Sequence, residues 1–130
     1  MAKKKPPEEA IDLLLEIFQE YPGSQVVGYL KDGACLQATV DGQPFGLEKT
    51  DGVLMISEGA PEFPDITVNL NLEACQYLAG CKELEDVVAR TRECIHGTHG
   101  NCTMAYSIDA SPPRMLLKGY LDFARKMGLL

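Results

Sequence analysis

The sequence lacks an apolar run long enough to cross a membrane. A transmembrane helix needs about 20 consecutive apolar residues. The apolar stretches here, such as Leu13–Leu15 and Val53–Ile56, are far shorter than that. Basic residues are also in the minority: 12 lysines and arginines stand against 19 aspartates and glutamates, for a net charge of −7. That sign disfavours binding to nucleic-acid phosphates and to anionic lipid headgroups. We therefore expect no nucleic-acid partner and no stable insertion into a membrane.

An export signal is missing as well. Residues 1–7 contain three lysines and end in two prolines, without the apolar core and the small-residue cleavage site of a signal peptide. We therefore expect a cytoplasmic protein whose five cysteines are reduced thiols, since disulfides persist mainly in oxidising compartments. We interpret residues 1–7 as a flexible lead-in and residues 8–130 as one domain, because 130 residues without an internal repeat match the size of a single domain.

Familiar motifs of catalysis are absent too. The sequence contains no nucleophile elbow, phosphate-binding loop or zinc-protease helix motif. Acidic residues such as Glu83, Glu85 and Asp86 are arranged like a solvated helix face. We therefore expect a protein that is not an enzyme and that uses no cofactor.

What the first half of the sequence contains is a change from helical to strand-like periodicity. Apolar residues at helical spacing predict a helix from about Glu8 to Tyr21, which Pro22–Gly23 is expected to end, with glycine as a left-handed cap. Alternating apolar residues then predict an antiparallel meander, since Asp-Gly dipeptides between the runs suit tight hairpin turns. The three runs lie at about residues 36–40, 45–47 and 53–56, and the turns are Asp41–Gly42 and Asp51–Gly52.

The second half mixes strands with three more helices. A fourth strand is predicted over residues 65–70, followed by helices over about residues 71–80, 82–96 and 120–127. Met115–Lys118 is interpreted as a short final strand, and Met104–Ile108 as a second possible strand. The whole pattern predicts an α+β fold.

This order of elements resembles the sterol carrier protein-2 family over about residues 10–130. The residues that carry the resemblance are Val40–Gly42, Phe45–Leu47, Asp51–Leu54, Asp65–Val68, Ala79–Gly80 and Leu116–Ala124. The resemblance implies a five-stranded, mainly antiparallel sheet with four to five helices packed on one face, around an apolar tunnel. Members of the family bind sterols, fatty acyl chains and other lipids without transforming them, which implies a non-enzymatic carrier of an apolar ligand. Because residues 98–114 are longer than the family's usual connection, Met104–Ile108 is the alternative for the last family strand.

Candidate ligand-binding residues are large apolar side chains on the late helices. They are Leu78, Val88, Tyr120, Phe123 and Met127. A ligand pocket has mostly apolar walls, but every amphipathic helix also needs such a stripe to fill the core. Both interpretations stay open for each residue. The closing helix is favoured, because it is terminal and because methionine adapts to varied ligand shapes.

A short segment rich in cysteine and histidine supplies an alternative function. Cys94, His96, His99 and Cys102 place four potential metal ligands within nine residues, so a metal-binding or redox-responsive domain is one alternative. The competing interpretation is a helix end capped by Gly97, with a buried cysteine and two solvent-facing histidines, since Cys94 and His96 would point to nearly opposite sides of a helix. A protein-interaction adaptor, marked by an exposed apolar patch, is a further alternative.

Overall fold

The computed structural model describes residues 6–127, with side chains from Glu8 onward, and confirms the predicted α+β class. The helices are α1 (Pro6–Gln19), α2 (Gly23–Val27), α3 (Leu72–Ala79), α4 (Leu84–His96), α5 (Pro112–Leu117) and α6 (Tyr120–Lys126). The strands are β1 (Cys35–Val40), β2 (Gln43–Thr50), β3 (Val53–Glu58), β4 (Ile66–Leu70) and β5 (Met104–Ile108). Residues 1–5 of the predicted lead-in lie outside the described residues, and α1 already begins at Pro6. Over the described range, no helix has the length and hydropathy that a membrane span requires.

The five strands form one sheet in the order β3-β2-β1-β4-β5. Each neighbouring pair is antiparallel except β1 and β4, which run parallel. The predicted meander is therefore confirmed as β1-β2-β3. Its two turns have positive φ angles at both central residues, 49° and 84° at Asp41 and Gly42 and 49° and 82° at Asp51 and Gly52. These are the angles that a two-residue hairpin turn with the right twist requires.

The main core lies between the helices and one face of the sheet. Along β1, Leu36, Ala38 and Val40 are buried while the alternate residues are half-exposed, as expected where only one face is covered. Residues from α1, α3, α4 and α6 join the same cluster, including Leu14, Cys75, Cys94 and Tyr120.

The first helix ends earlier than predicted. It stops at Gln19, and Gly23 begins the short helix α2 instead of capping α1. The prediction of a left-handed cap at Gly23 was wrong. A glycine is required at this position because the backbone of Ile17 lies too close to leave room for a side chain. A Cβ at Gly23 would overlap the carbonyl oxygen of Ile17.

The predicted final strand over Met115–Lys118 is also wrong. These residues belong to α5 and its C-terminal end, and the fifth strand is Met104–Ile108, which pairs with β4. Two prolines begin α5, where their fixed φ angle suits a first helical turn. The Arg-Met-Leu-Leu segment that follows consists of strong helix formers.

The helices α3 and α4 agree closely with the prediction because their ends carry local signals. The side chain of Asn71 accepts a hydrogen bond from the amide of Ala74, and Gly97 ends α4 with a φ angle of 68°. Asp86 does more than face solvent: its carboxylate accepts hydrogen bonds from the amides of Lys82 and Glu83 at 3.2 and 3.0 Å, which caps the start of α4.

Candidate ligand-binding site

An apolar cavity of about 180 Å³ lies between the helices and the sheet. The sheet contributes Leu36, Ile66, Val68, Met104, Tyr106 and Ile108 to its wall. Among the described residues that line it, the polar side chains are Thr91 and two tyrosines, and none is charged at neutral pH. Such a wall removes apolar atoms from water but offers little to a polar or ionic group.

Four of the five residues expected to bind a ligand line this cavity. They are Leu78 on α3, Tyr120 and Phe123 on α6, and Met127 at the end of α6. Val88 does not line it. This residue is half-buried and packs instead against the small cluster of Val26, Val87 and Met127.

The sheet side of the wall was not singled out from the sequence. Ile66 pairs with Ile108, and Val68 pairs with Tyr106, so two strands present their apolar residues toward the helices. The period-two pattern of β4 places Ile66 and Val68 on one face. The contribution of Tyr106 and Ile108 on β5 could not be predicted, because it depends on the pairing of β5 with β4.

The cavity is partly open to the surface, and the tunnel that the resemblance implied stays a prediction. Its open wall includes β5, the edge strand, where Ile108 is 59% exposed.

The volume of the cavity limits the size of a ligand. Ligand pockets commonly measure about 300–1,000 Å³, whereas a cavity of about 150 Å³ can hold benzene. As it stands, this cavity accepts a short apolar segment, and a longer molecule must extend through the opening.

A buried carboxylate joins the terminal helices to the sheet next to the cavity. Asp65, 1% exposed, accepts hydrogen bonds from the amide of Cys35 at 2.9 Å and from the hydroxyl of Tyr120 at 2.9 Å. Arg114 of α5 donates to both carboxylate oxygens. Its Nη2 also donates to the carbonyl oxygen of Gly33 at 3.0 Å. The Asp65 carboxylate thus holds α5 and α6 in place and fixes the orientation of Tyr120 in the cavity wall.

Electrostatics keep this carboxylate ionised. Burial is the largest influence and raises the pKa of Asp65, but the hydrogen bonds from Arg114, Cys35 and Tyr120 together outweigh it. The pKa therefore lies below its ordinary value. Burial also raises the pKa of Tyr120, so its hydroxyl remains a donor.

Comparisons with known proteins give a likeness in structure alone. No model of a known protein family matches this chain, and no curated protein matches it in sequence. Among solved structures the chain is similar to one described as "UbiJ-SCP2 Ubiquinone synthesis protein", with 15% sequence identity and a TM-score of 0.49. The alignment covers 94% of this chain and 96% of that chain. The resemblance to the sterol carrier protein-2 family therefore stays a prediction.

The four residues of the alternative metal or redox site do not converge. Cys94 and Cys102 are buried, while His96 and His99 are exposed. His99 stacks on the ring of Tyr77, with 3.8 Å between the ring centroids. Residues 6–127 contain no group of three or more histidine, cysteine, aspartate or glutamate side chains placed to hold a metal ion.

The thiol of Cys94 is also poorly suited to redox chemistry. Burial is the main cause that raises the pKa of Cys94 to about 12. Because the thiolate is the reactive form, a raised pKa leaves little of it at neutral pH. Cys94 is a buried core residue, as one interpretation of the sequence predicted.

Proposed function

We propose that this protein binds an apolar ligand in the cavity between its helices and its sheet and carries it unchanged. The observation that supports the proposal is the composition of the wall: apolar side chains from both layers surround a void, and no charged side chain of the described residues faces it. Well-packed interiors leave few voids of this size. A void with an open side and apolar walls is the usual form of a ligand site.

The wall also limits the chemistry of the ligand. A charged headgroup would lose its hydration without a partner inside the cavity, so it would stay at the opening. With about 180 Å³ available, the inserted part is a short apolar segment, such as part of an acyl or isoprenoid chain. The ring system of a sterol would require the walls to move apart.

The same wall supports carriage over catalysis. The side chains of Thr91, Tyr106 and Tyr120 are the polar groups that the described lining residues offer, and the hydroxyl of Tyr120 is engaged by Asp65. General acid–base catalysis requires a positioned group whose pKa lies near the working pH. We therefore expect a ligand to be recovered chemically unchanged after incubation, and extraction followed by mass spectrometry would detect any product.

Filling the cavity tests the proposal. In Val68→Trp a large ring on β4 would occupy the void, so we expect the affinity for a dansyl-labelled fatty acid to fall by about tenfold or more. Titration of the probe's fluorescence measures the affinity. Met55→Trp is the matched control, because Met55 is exposed on the far edge strand β3 and does not line the cavity. Equal affinities of Val68→Trp and the control would contradict the proposed site.

A further inference from the structure

The helix α5 exposes apolar side chains beside the opening of the cavity. Leu116 is 63% exposed and Leu117 is 75% exposed, and α5 contains no buried residue. Their neighbour Met115 lines the cavity, as does the exposed Ile108 of β5. Exposed large apolar side chains that are grouped in one place commonly mark an interaction surface.

Charge is distributed unevenly between this region and the rest of the protein. Residues 6–110 carry five basic against eighteen acidic side chains, whereas residues 111–127 carry four basic side chains against Asp122 alone. Arg114 is held by Asp65, but Arg125 and Lys126 are exposed on α6. The helix pair α5–α6 is therefore a basic surface on an otherwise acidic protein.

We propose that the helix pair α5–α6 docks on an anionic lipid surface, with Leu116 and Leu117 at the level of the acyl chains. Basic residues beside exposed leucines suit the boundary between anionic headgroups and acyl chains. The acidic remainder is repelled by the same surface, so the field of the protein would turn this face toward it. The cavity opening, bordered by Met115 and Ile108, would then face the bilayer. This inference rests on the proposed function, because the docking would serve to exchange a ligand between the cavity and the bilayer.

Co-sedimentation with vesicles tests the docking directly. We expect the full chain to bind vesicles of phosphatidylcholine mixed with phosphatidylglycerol, and to bind vesicles of phosphatidylcholine alone much less. Leu116→Gln with Leu117→Gln should weaken binding severalfold, whereas Val53→Gln with Met55→Gln, an exposed apolar pair on the opposite sheet edge, should not. Lys126→Gln should weaken binding about fivefold, and the exposed Lys82→Gln should have little effect. Every variant keeps Lys3, Lys4 and Lys5, so their contribution is common to all.

Three results would overturn the inference. They are equal binding to both kinds of vesicle, equal losses in the leucine pair and its control, and capture of an acidic protein through α5–α6 without any vesicle binding. Uptake of the dansyl-labelled fatty acid from solution separates this inference from the proposed function, because Leu116 and Leu117 do not line the cavity. Normal uptake without vesicle binding refutes the docking alone, and vesicle binding without uptake refutes the proposed function alone.

Discussion

Replacing Asp65 with alanine is expected to lower the free energy of unfolding by about 3 kcal/mol or more. The substitution leaves the amide of Cys35 without its acceptor, and an unsatisfied buried donor costs about 1–3 kcal/mol. The hydroxyl of Tyr120 loses its shorter hydrogen bond, to Asp65, and keeps only the longer one to the carbonyl oxygen of Cys35 at 3.3 Å. Arg114, which is partly exposed, can turn to water and recover part of its loss. Urea unfolding of wild type and variant at neutral pH measures the difference.

The control for this substitution is Asp109→Ala. Asp109 is exposed and accepts a hydrogen bond from the hydroxyl of Thr67 at 2.7 Å, so its removal should cost well under half as much. A comparable loss in both variants would mean that the Asp65 network has no special role. Because Tyr120 lines the cavity, Asp65→Ala should also weaken binding of the fatty-acid probe.

The pH dependence of stability provides an independent test of the same network. The pKa of Asp65 is lowered in the folded protein, because hydrogen bonds from Arg114, Cys35 and Tyr120 outweigh the effect of burial. Its contribution to stability is therefore fully present above the ordinary aspartate pKa of about 4 and is lost as the pH falls through the folded-state value. In Asp65→Asn the stability should fall less over this acidic range. Parallel curves for wild type and Asp65→Asn in urea unfolding below about pH 4 would contradict the lowered pKa.

Gly119→Ala should produce a loss of similar size for a different reason. Gly119 joins α5 to α6 with a φ angle of 83°, and a Cβ there would overlap the carbonyl oxygen of Tyr29. The left-handed conformation costs an alanine about 1–2 kcal/mol, and forced overlap with neighbouring atoms typically adds about 1–3 kcal/mol. The helix pair must then move away from Tyr29, so both the unfolding free energy and the probe affinity should fall.

Gly52→Ala separates the two contributions. Gly52 has nearly the same φ angle, 82°, but no atom lies within 4 Å of the position that its Cβ would occupy. This variant should therefore lose only the conformational part of the free energy and keep its probe affinity. Equal destabilisation of Gly52→Ala and Gly119→Ala would show that the contact with Tyr29 is unimportant.

The predictions from sequence succeeded where a few adjacent residues determine the local structure. The Asp-Gly turns, the cap at Asn71 and the helix end at Gly97 each depend on backbone angles that these residue types favour. They failed where two short apolar runs competed for one strand position. Met104–Ile108 and Met115–Lys118 differ little in periodicity, and pairing with β4 decided between them.

The candidate site was predictable only on its helical side. Spacing along α6 identified Phe123 and Met127, because one stripe of an amphipathic helix must face inward. The partnership of Asp65 with Arg114 joins residues 49 positions apart, and no local pattern marks it. For Cys94 and His96, helical spacing was a better guide than closeness in sequence, because α4 separates their side chains into core and surface as that spacing predicted.

The order of the strands also bears on the time course of folding. The meander β1-β2-β3 is closed by two-residue turns, so it can form early from local contacts. The parallel pairing of β1 with β4 and the attachment of β5 require much longer loops to close, which is entropically costly and slow. We therefore expect Ile66 and Val68 to face water until β5 and the last helices are in place. The surface that later encloses the cavity is the one through which incompletely folded chains would adhere to each other.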